Sequence, residues 1–160
     1  MDRVGARLVS FFDAHEIPHE TIPLETYGDA IRAVISGGDG NQPILLCGHR
    51  DTVFQTGEVE RRPFSTEGGK AFGPGVADMK PGLVINAFIL AAFHKFGSHP
   101  NPLVGLFTGD EEIGSPESKD VIIAEAEKAR LAFNSEPSRP SGNIVPRRKG
   151  GIFCRCEITG

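Results

Sequence analysis

Apolar residues at Val4, Leu8, Phe11 and Phe12 recur every three to four positions, which predicts an amphipathic helix over residues 2–15. Farther on the period shortens. The segments "HETIPLE" (19–25) and "AIRAVIS" (30–36) read as short strands, separated from the next element by the turn "GGDGN". "PILLCGH" (43–49) is a continuous apolar run of the kind found in a sheet covered on both faces. "FSTEGGKAFG" (64–73) predicts a hairpin around Gly68-Gly69. Residues 80–96 read as a buried helix with Pro81 in its first turn. "LVGLFTG" (103–109) is another buried strand, "PESKDVIIAEAEKA" (116–129) a surface helix, and "RLAFNSE" (130–136) a further strand. "PSRPSGN" is a loop, and "GIFCRCEIT" (151–159) begins one more strand. Strands alternating with helices predict a three-layer α/β/α sandwich with a largely parallel central sheet. There is no internal repeat or low-complexity segment.

Composition narrows the partners. The 160 residues are 39% hydrophobic and 24% charged, enough for a packed core in one domain, or one domain and a fragment. A net charge of -4 argues against nucleic acid or an anionic membrane as partner, and the short run Arg147 to Lys149 does not alter that. The longest apolar stretch, "LVINAFILAAF", is too short to span a bilayer, and the N-terminus lacks the features of a signal peptide. Cys47, Cys154 and Cys156 make an odd count without disulfide-like spacing, which points to a reducing, cytoplasmic setting. Cys154 and Cys156 would share one face of the last strand; two small apolar side chains explain them better than a metal site.

The acidic residues change the picture. In open α/β sheets, ligands gather beyond the carboxyl ends of the strands. His49 and Asp51 follow "PILLC"; Asp110, Glu111 and Glu112 follow "LVGLFTG"; Glu136 follows "RLAFNS"; Asp78 stands just before the long helix. Each has an ordinary explanation when taken alone. His49 and Asp51 could form a polar turn, Asp78 an N-cap, Glu111 and Glu112 a complement to a helix dipole, and Glu136 a loop acid. Their coincidence at one sheet edge is harder to explain that way. Several carboxylates brought together repel one another unless a cation sits among them, and histidine with carboxylates is a ligand set that zinc accepts.

The four stretches "GHRDTVF", "AFGPGVADMKPGLV", "TGDEEIGS" and "NSEPSRPSG" resemble, in order and separation, the signatures of the dinuclear zinc aminoacylase and carboxypeptidase family. That family includes glutamate carboxypeptidase, acetylornithine deacetylase, succinyl-diaminopimelate desuccinylase and aminoacylase. "DTVF" and "RRPFSTEGGKAFGPG" lean toward the glutamate-carboxypeptidase-like branch. The resemblance implies a metal-dependent hydrolase of amide or peptide bonds, acting on a small peptide or an N-acyl amino acid. It implies that His49 and Glu136 bind one Zn2+, that Asp78 bridges two, and that Glu112 binds the second. Asp51 would orient the His49 ring, and Glu111 would be the general base that takes a proton from water and returns it to the leaving amine. Cobalt or manganese suits the same ligand types. The resemblance also implies a cis Asp78-Met79 peptide.

Members of this family are more than twice this length. On that basis residues 1–150 are expected to be part of a catalytic domain and residues 151–160 the start of a lid and dimerisation domain. The lid's histidine, its substrate-gripping arginine and asparagine, and the last ligand of the second metal would then lie elsewhere. A complete protein is expected to be a homodimer through the lid, and this chain alone to hold at most one metal tightly and to hydrolyse little. Two other readings are a non-catalytic binding protein on the same fold and a related dinuclear aminopeptidase. The first would more naturally have lost Glu111 or a ligand; the second fits the "GHRDTVF" and "DEEIGS" contexts less well.

Overall fold

The computed structural model describes residues 2–38, 41–97, 99–147, 150–151 and 154–159. Helix α1 (Arg3–Ala14) begins where the Asp2 carboxylate accepts the Gly5 N–H at 2.7 Å, and it buries Gly5, Leu8 and Phe12 along one stripe. Strands β1 (His19–Ile22), β2 (Ala30–Ile35) and β3 (Ile44–His49) follow. A short helix α2 (Glu58–Arg61) and the hairpin β4 (Ser65–Glu67) to β5 (Lys70–Phe72) come next. Gly68 and Gly69 both take positive φ in the two-residue turn, as a primed hairpin turn requires. Helix α3 (Lys80–Phe96), strand β6 (Leu103–Thr108), a 3-10 turn (Glu111–Ile113), helix α4 (Lys119–Lys128) and strand β7 (Leu131–Asn134) complete the order.

The main sheet runs β1-β2-β6-β3-β7. Strand β6 pairs parallel with β3, β3 pairs parallel with β7, and β2 runs antiparallel to both of its neighbours. Every strand except β2 therefore points the same way. Helices α1 and α3 cover one face through Leu8, Phe12, Leu83, Ala87 and Leu90, packed on Ile31, Ile35, Leu46 and Phe107. Helix α4 covers the other through Val121 and Ile122, against Leu45, Val104 and Leu106. The three layers expected from the alternation are present. All six residues of β6 are buried, as befits a strand between β2 and β3.

Two local expectations are corrected. Helix α3 is not buried all round. Gly82, Leu83, Asn86, Ala87 and Leu90 face the sheet, while Val84, Ile85, Phe88, Phe93 and Phe96 are exposed. A helix lying on a sheet turns only one side to it, and α1 flanks α3 without covering its outer side. Residues 154–159 form no strand, so Cys154 and Cys156, both exposed, share no strand face. A strand needs a hydrogen-bonded partner. Strand β7, at the sheet edge and exposed along its length, has β3 as its one neighbour among the described residues. No helix among the described residues is long and apolar enough to cross a membrane.

Candidate metal centre

The parallel strands β3, β6 and β7 end on the same side, so the residues that follow them meet there. His49, the last residue of β3, is buried (2% exposed). Its Nε2 lies 3.2 Å from Asp78 Oδ1, 3.2 Å from Glu136 Oε1 and 3.8 Å from Glu111 Oε2. His49, Asp78 and Glu136 each offer a ligand atom within 4.8 Å of the other two. Asp78 is not the N-cap of α3. That position is Met79, without a side-chain capping bond, and the Asp78-Met79 peptide is cis. The Asp78 carboxylate caps no helix and joins the cluster instead.

Asp51 joins two parts of the site. Its Oδ1 stands 3.2 Å from His49 Nδ1, an ion-pair contact whose alignment is poor for a hydrogen bond. The same carboxylate accepts the backbone N–H of Glu111 at 3.2 Å and of Glu112 at 2.9 Å. One side chain thus ties the His49 ring to the turn that carries both glutamates. Glu112 stands beside the three-residue cluster rather than within it.

Electrostatics show the crowding. Burial opposes a charged imidazole at His49, yet Asp51, Glu136 and Glu111 outweigh it and raise its pKa to about 9. Burial and the Asp78 carboxylate, against the pull of His49, push Glu136 up to about 7. Burial and Asp78 also raise Glu112. Asp51 moves the other way: burial opposes its charge, but the His49 ring and the Glu112 N–H hold it below the usual carboxylate range.

Several further residues hold this site in place; Gly48, Met79, Gly82, Asp110 and Ser135 lie within the four motif stretches, and Asn86 lies outside them. The Met79 side chain is fully buried under His49, and its Sδ accepts the His49 N–H at 3.2 Å. A Cβ on Gly48 would come within 2.7 Å of Met79 Cε, so glycine permits that packing. Fully buried Asn86 donates from Nδ2 to the Cys47 carbonyl at 3.2 Å and accepts from Ser135 Oγ at 2.6 Å, fastening the ends of β3 and β7 to α3. Gly82 lets α3 approach that loop, since a Cβ there would stand 2.1 Å from the Ser135 carbonyl oxygen. Asp110, buried, accepts the N–H groups of Glu117 at 2.9 Å and Ser118 at 3.0 Å and the Ser118 hydroxyl, closing the loop that carries Glu111 and Glu112. A lone polar residue amid the apolar positions of α3 is the one sequence signal that singles out Asn86. Asn86→Leu should strand the Ser135 hydroxyl and lower stability by about 1–3 kcal/mol in urea unfolding. A change within about 0.5 kcal/mol, the scatter of ordinary surface substitutions, would refute this role.

Parallel strand ends that converge on one histidine and several carboxylates define an α/β protein with a candidate centre for a divalent cation. The chain belongs to peptidase family M20/M25/M40, whose model matches residues 45–159. It is 36% identical over 135 residues to carboxypeptidase G2 of Pseudomonas sp. (strain RS-16), covering 83% of this chain and 32% of that protein. It is 38% identical over 146 residues to acetylornithine deacetylase of Pasteurella multocida (strain Pm70), covering 88% of this chain and 37% of that protein. This chain therefore spans about a third of the length of these relatives. Among solved structures, the M20 family metallo-carboxypeptidase Sso-CP2 from Sulfolobus solfataricus superposes with a TM-score of 0.68 at 16% identity, over 86% of this chain and 33% of that one. Human carnosine dipeptidase 1 gives 0.66 at 15% identity, over 84% and 32%. The structural likenesses support the fold, and the family assignment rests on the sequence match.

Proposed function

We propose that this chain carries the metal-binding part of an amide hydrolase that cleaves a small peptide or an N-acyl amino acid. The observation that carries the reading is the convergence of His49 Nε2, Asp78 and Glu136 at one strand-end cluster, with Glu111 Oε2 beside it. The residues fit a divalent ion. A buried imidazole nitrogen and two carboxylates are ligands that zinc accepts, and the raised pKa of Glu136 marks negative charge that a cation would relieve. His49, Asp78 and Glu136 would hold one ion, and Asp78 with Glu112 would contribute to a second; zinc is the ion proposed, with cobalt and manganese open to the same donors. Such an ion supplies Lewis acidity to a carbonyl and lowers the pKa of a water. Asp51 acts through others: it orients the His49 ring and fixes the turn that bears Glu111 and Glu112. Glu111 takes a proton from the attacking water and delivers it to the leaving amine. The names of the two relatives, a carboxypeptidase and a deacetylase, support both substrate classes.

Zinc titration of this chain tests the reading. One tightly held zinc per chain is expected, because three ligand residues converge at one place among the described residues. Two zincs retained after dialysis, or none, would contradict it. Asp51→Ala should weaken binding by roughly 10–100-fold through loss of the contact behind the ligand. The sign of the pH dependence follows from the raised values. With His49 near 9 and Glu136 near 7, both hold protons around neutrality in the metal-free chain, and both must release them to ligate. Zinc affinity should therefore rise from pH 6 to pH 8, with protons released on binding that calorimetry in buffers of different ionisation enthalpy would count.

A further inference from the structure

A cavity of ≈ 410 Å³ runs between α1 and α3, and none of the proposed metal ligands lines it. One stripe of each helix forms its walls: Val4, Leu8 and Phe11 from α1, and Leu83, Ala87 and Phe88 from α3. Arg3 and Lys80, the first residues of the two helices, also line it, as does Arg7. These three cations are its only polar lining among the described residues. Arg3 and Arg7 are exposed, so their stems border the groove while their guanidinium groups reach water. The adjacent acid, Asp2, does not neutralise them, because Arg50 and the Gly5 N–H occupy its carboxylate. From Arg3 to Phe11, and from Lys80 to Phe88, each helix advances by about 12 Å. There the Phe11 and Phe88 rings meet, with centroids 5.1 Å apart. The groove therefore has a cationic end and an aromatic end.

We propose that this groove binds the anion of a medium-chain fatty acid, with the alkyl chain between α1 and α3 and the carboxylate at Arg3 and Arg7. Size, length and charge support this occupant, independently of the hydrolase reading. The volume falls among those of small-molecule sites, which are mostly apolar with a few polar groups that set orientation. An extended chain advances about 1.2 Å per bond, so roughly ten carbons span the distance from the arginines to the ring pair. An arginine fork matches a carboxylate. A neutral apolar molecule would leave the cationic end unused, and a small polar anion would leave the apolar walls unused.

Calorimetric titration of the chain, with and without zinc, would use decanoate, hexanoate and decyltrimethylammonium, each below micelle formation. Decanoate is expected to bind roughly tenfold or more tighter than hexanoate, since each buried methylene is worth up to about fourfold in affinity. Decyltrimethylammonium, with the same chain and the opposite charge, should bind more weakly than decanoate. Zinc should leave the decanoate affinity unchanged, because the groove lies apart from the proposed ligands. Arg3→Glu combined with Arg7→Glu, both at exposed positions, should weaken decanoate by roughly tenfold and favour the cation instead. Val84→Glu, on the exposed lip of the groove, should also weaken decanoate by placing charge in the path of the chain. Equal affinities for the two fatty acids, preference for the cation in the unaltered chain, binding that requires zinc, or full affinity in both variants would overturn the site. So would sedimentation showing copies joined through this face that decanoate does not separate, or binding to phosphatidylglycerol vesicles with none to free decanoate.

Discussion

Glu111→Gln is expected to lower amide hydrolysis by roughly 10²–10⁴-fold, the usual contribution of a positioned general base, while zinc affinity stays nearly unchanged. The side chain is half-exposed, its Oε2 is 3.8 Å from His49 Nε2, and its backbone N–H is fixed by Asp51. It therefore borders the three-residue cluster proposed to hold the ion without belonging to it. Glutamine keeps the shape and the backbone anchor but has no oxygen basic enough to hold a proton. The two readouts must separate: kcat falls in a preparation that hydrolyses an N-acyl amino acid, and the zinc titration does not move. Normal turnover in the variant would end the assignment, and a parallel collapse of zinc affinity would make Glu111 a ligand instead.

The second large effect concerns stability. Arg50 lies between the two site residues His49 and Asp51, yet its side chain turns away from the cluster into the fold and is 5% exposed. It meets Asp2 Oδ2 from Nε at 2.8 Å and from Nη2 at 2.7 Å, and it donates to the carbonyls of Asp29 and Phe107. One guanidinium thus joins the N-cap of α1, the loop before β2 and the end of β6. Arg50→Met removes every donor and leaves a carboxylate and two carbonyls without it, which should cost roughly 3–5 kcal/mol in urea unfolding. Arg50→Lys keeps the charge but cannot span three partners, and should fall between the two. Loss of less than about 1 kcal/mol for Arg50→Met, the level of an exposed ion pair, would show that the network contributes little.

Much of the molecule was legible along the chain because the signals are local. Three-to-four spacing marks α1, continuous apolar runs mark β3 and β6, and paired glycines mark the β4–β5 turn. The candidate residues His49, Asp51, Glu111, Glu112 and Glu136 stand out because polar groups follow apolar strands, and Asp78 because it stands just before the long helix. Periodicity says little about what covers an element. Helix α3 reads as buried because its outer positions are as apolar as its inner ones, and residues 151–159 read as a strand because alternation cannot reveal whether a partner is present. The role of Arg50 was hidden for a related reason: a charged residue inside a polar motif looks like a solvated neighbour until its partners Asp2, Asp29 and Phe107, distant in the chain, are seen.

The amino-acid order alone determined most of the strands and helices and which chemical groups wait at their ends, since both depend on near neighbours and on side-chain type. Only the folded arrangement decided that β2 opposes the other strands, that Nε2 of His49 meets Asp78 and Glu136 at 3.2 Å, and that Asp51 grips the turn bearing Glu111 and Glu112. Those contacts join residues far apart in the chain, and they exist because parallel β3, β6 and β7 bring their carboxyl ends to one edge.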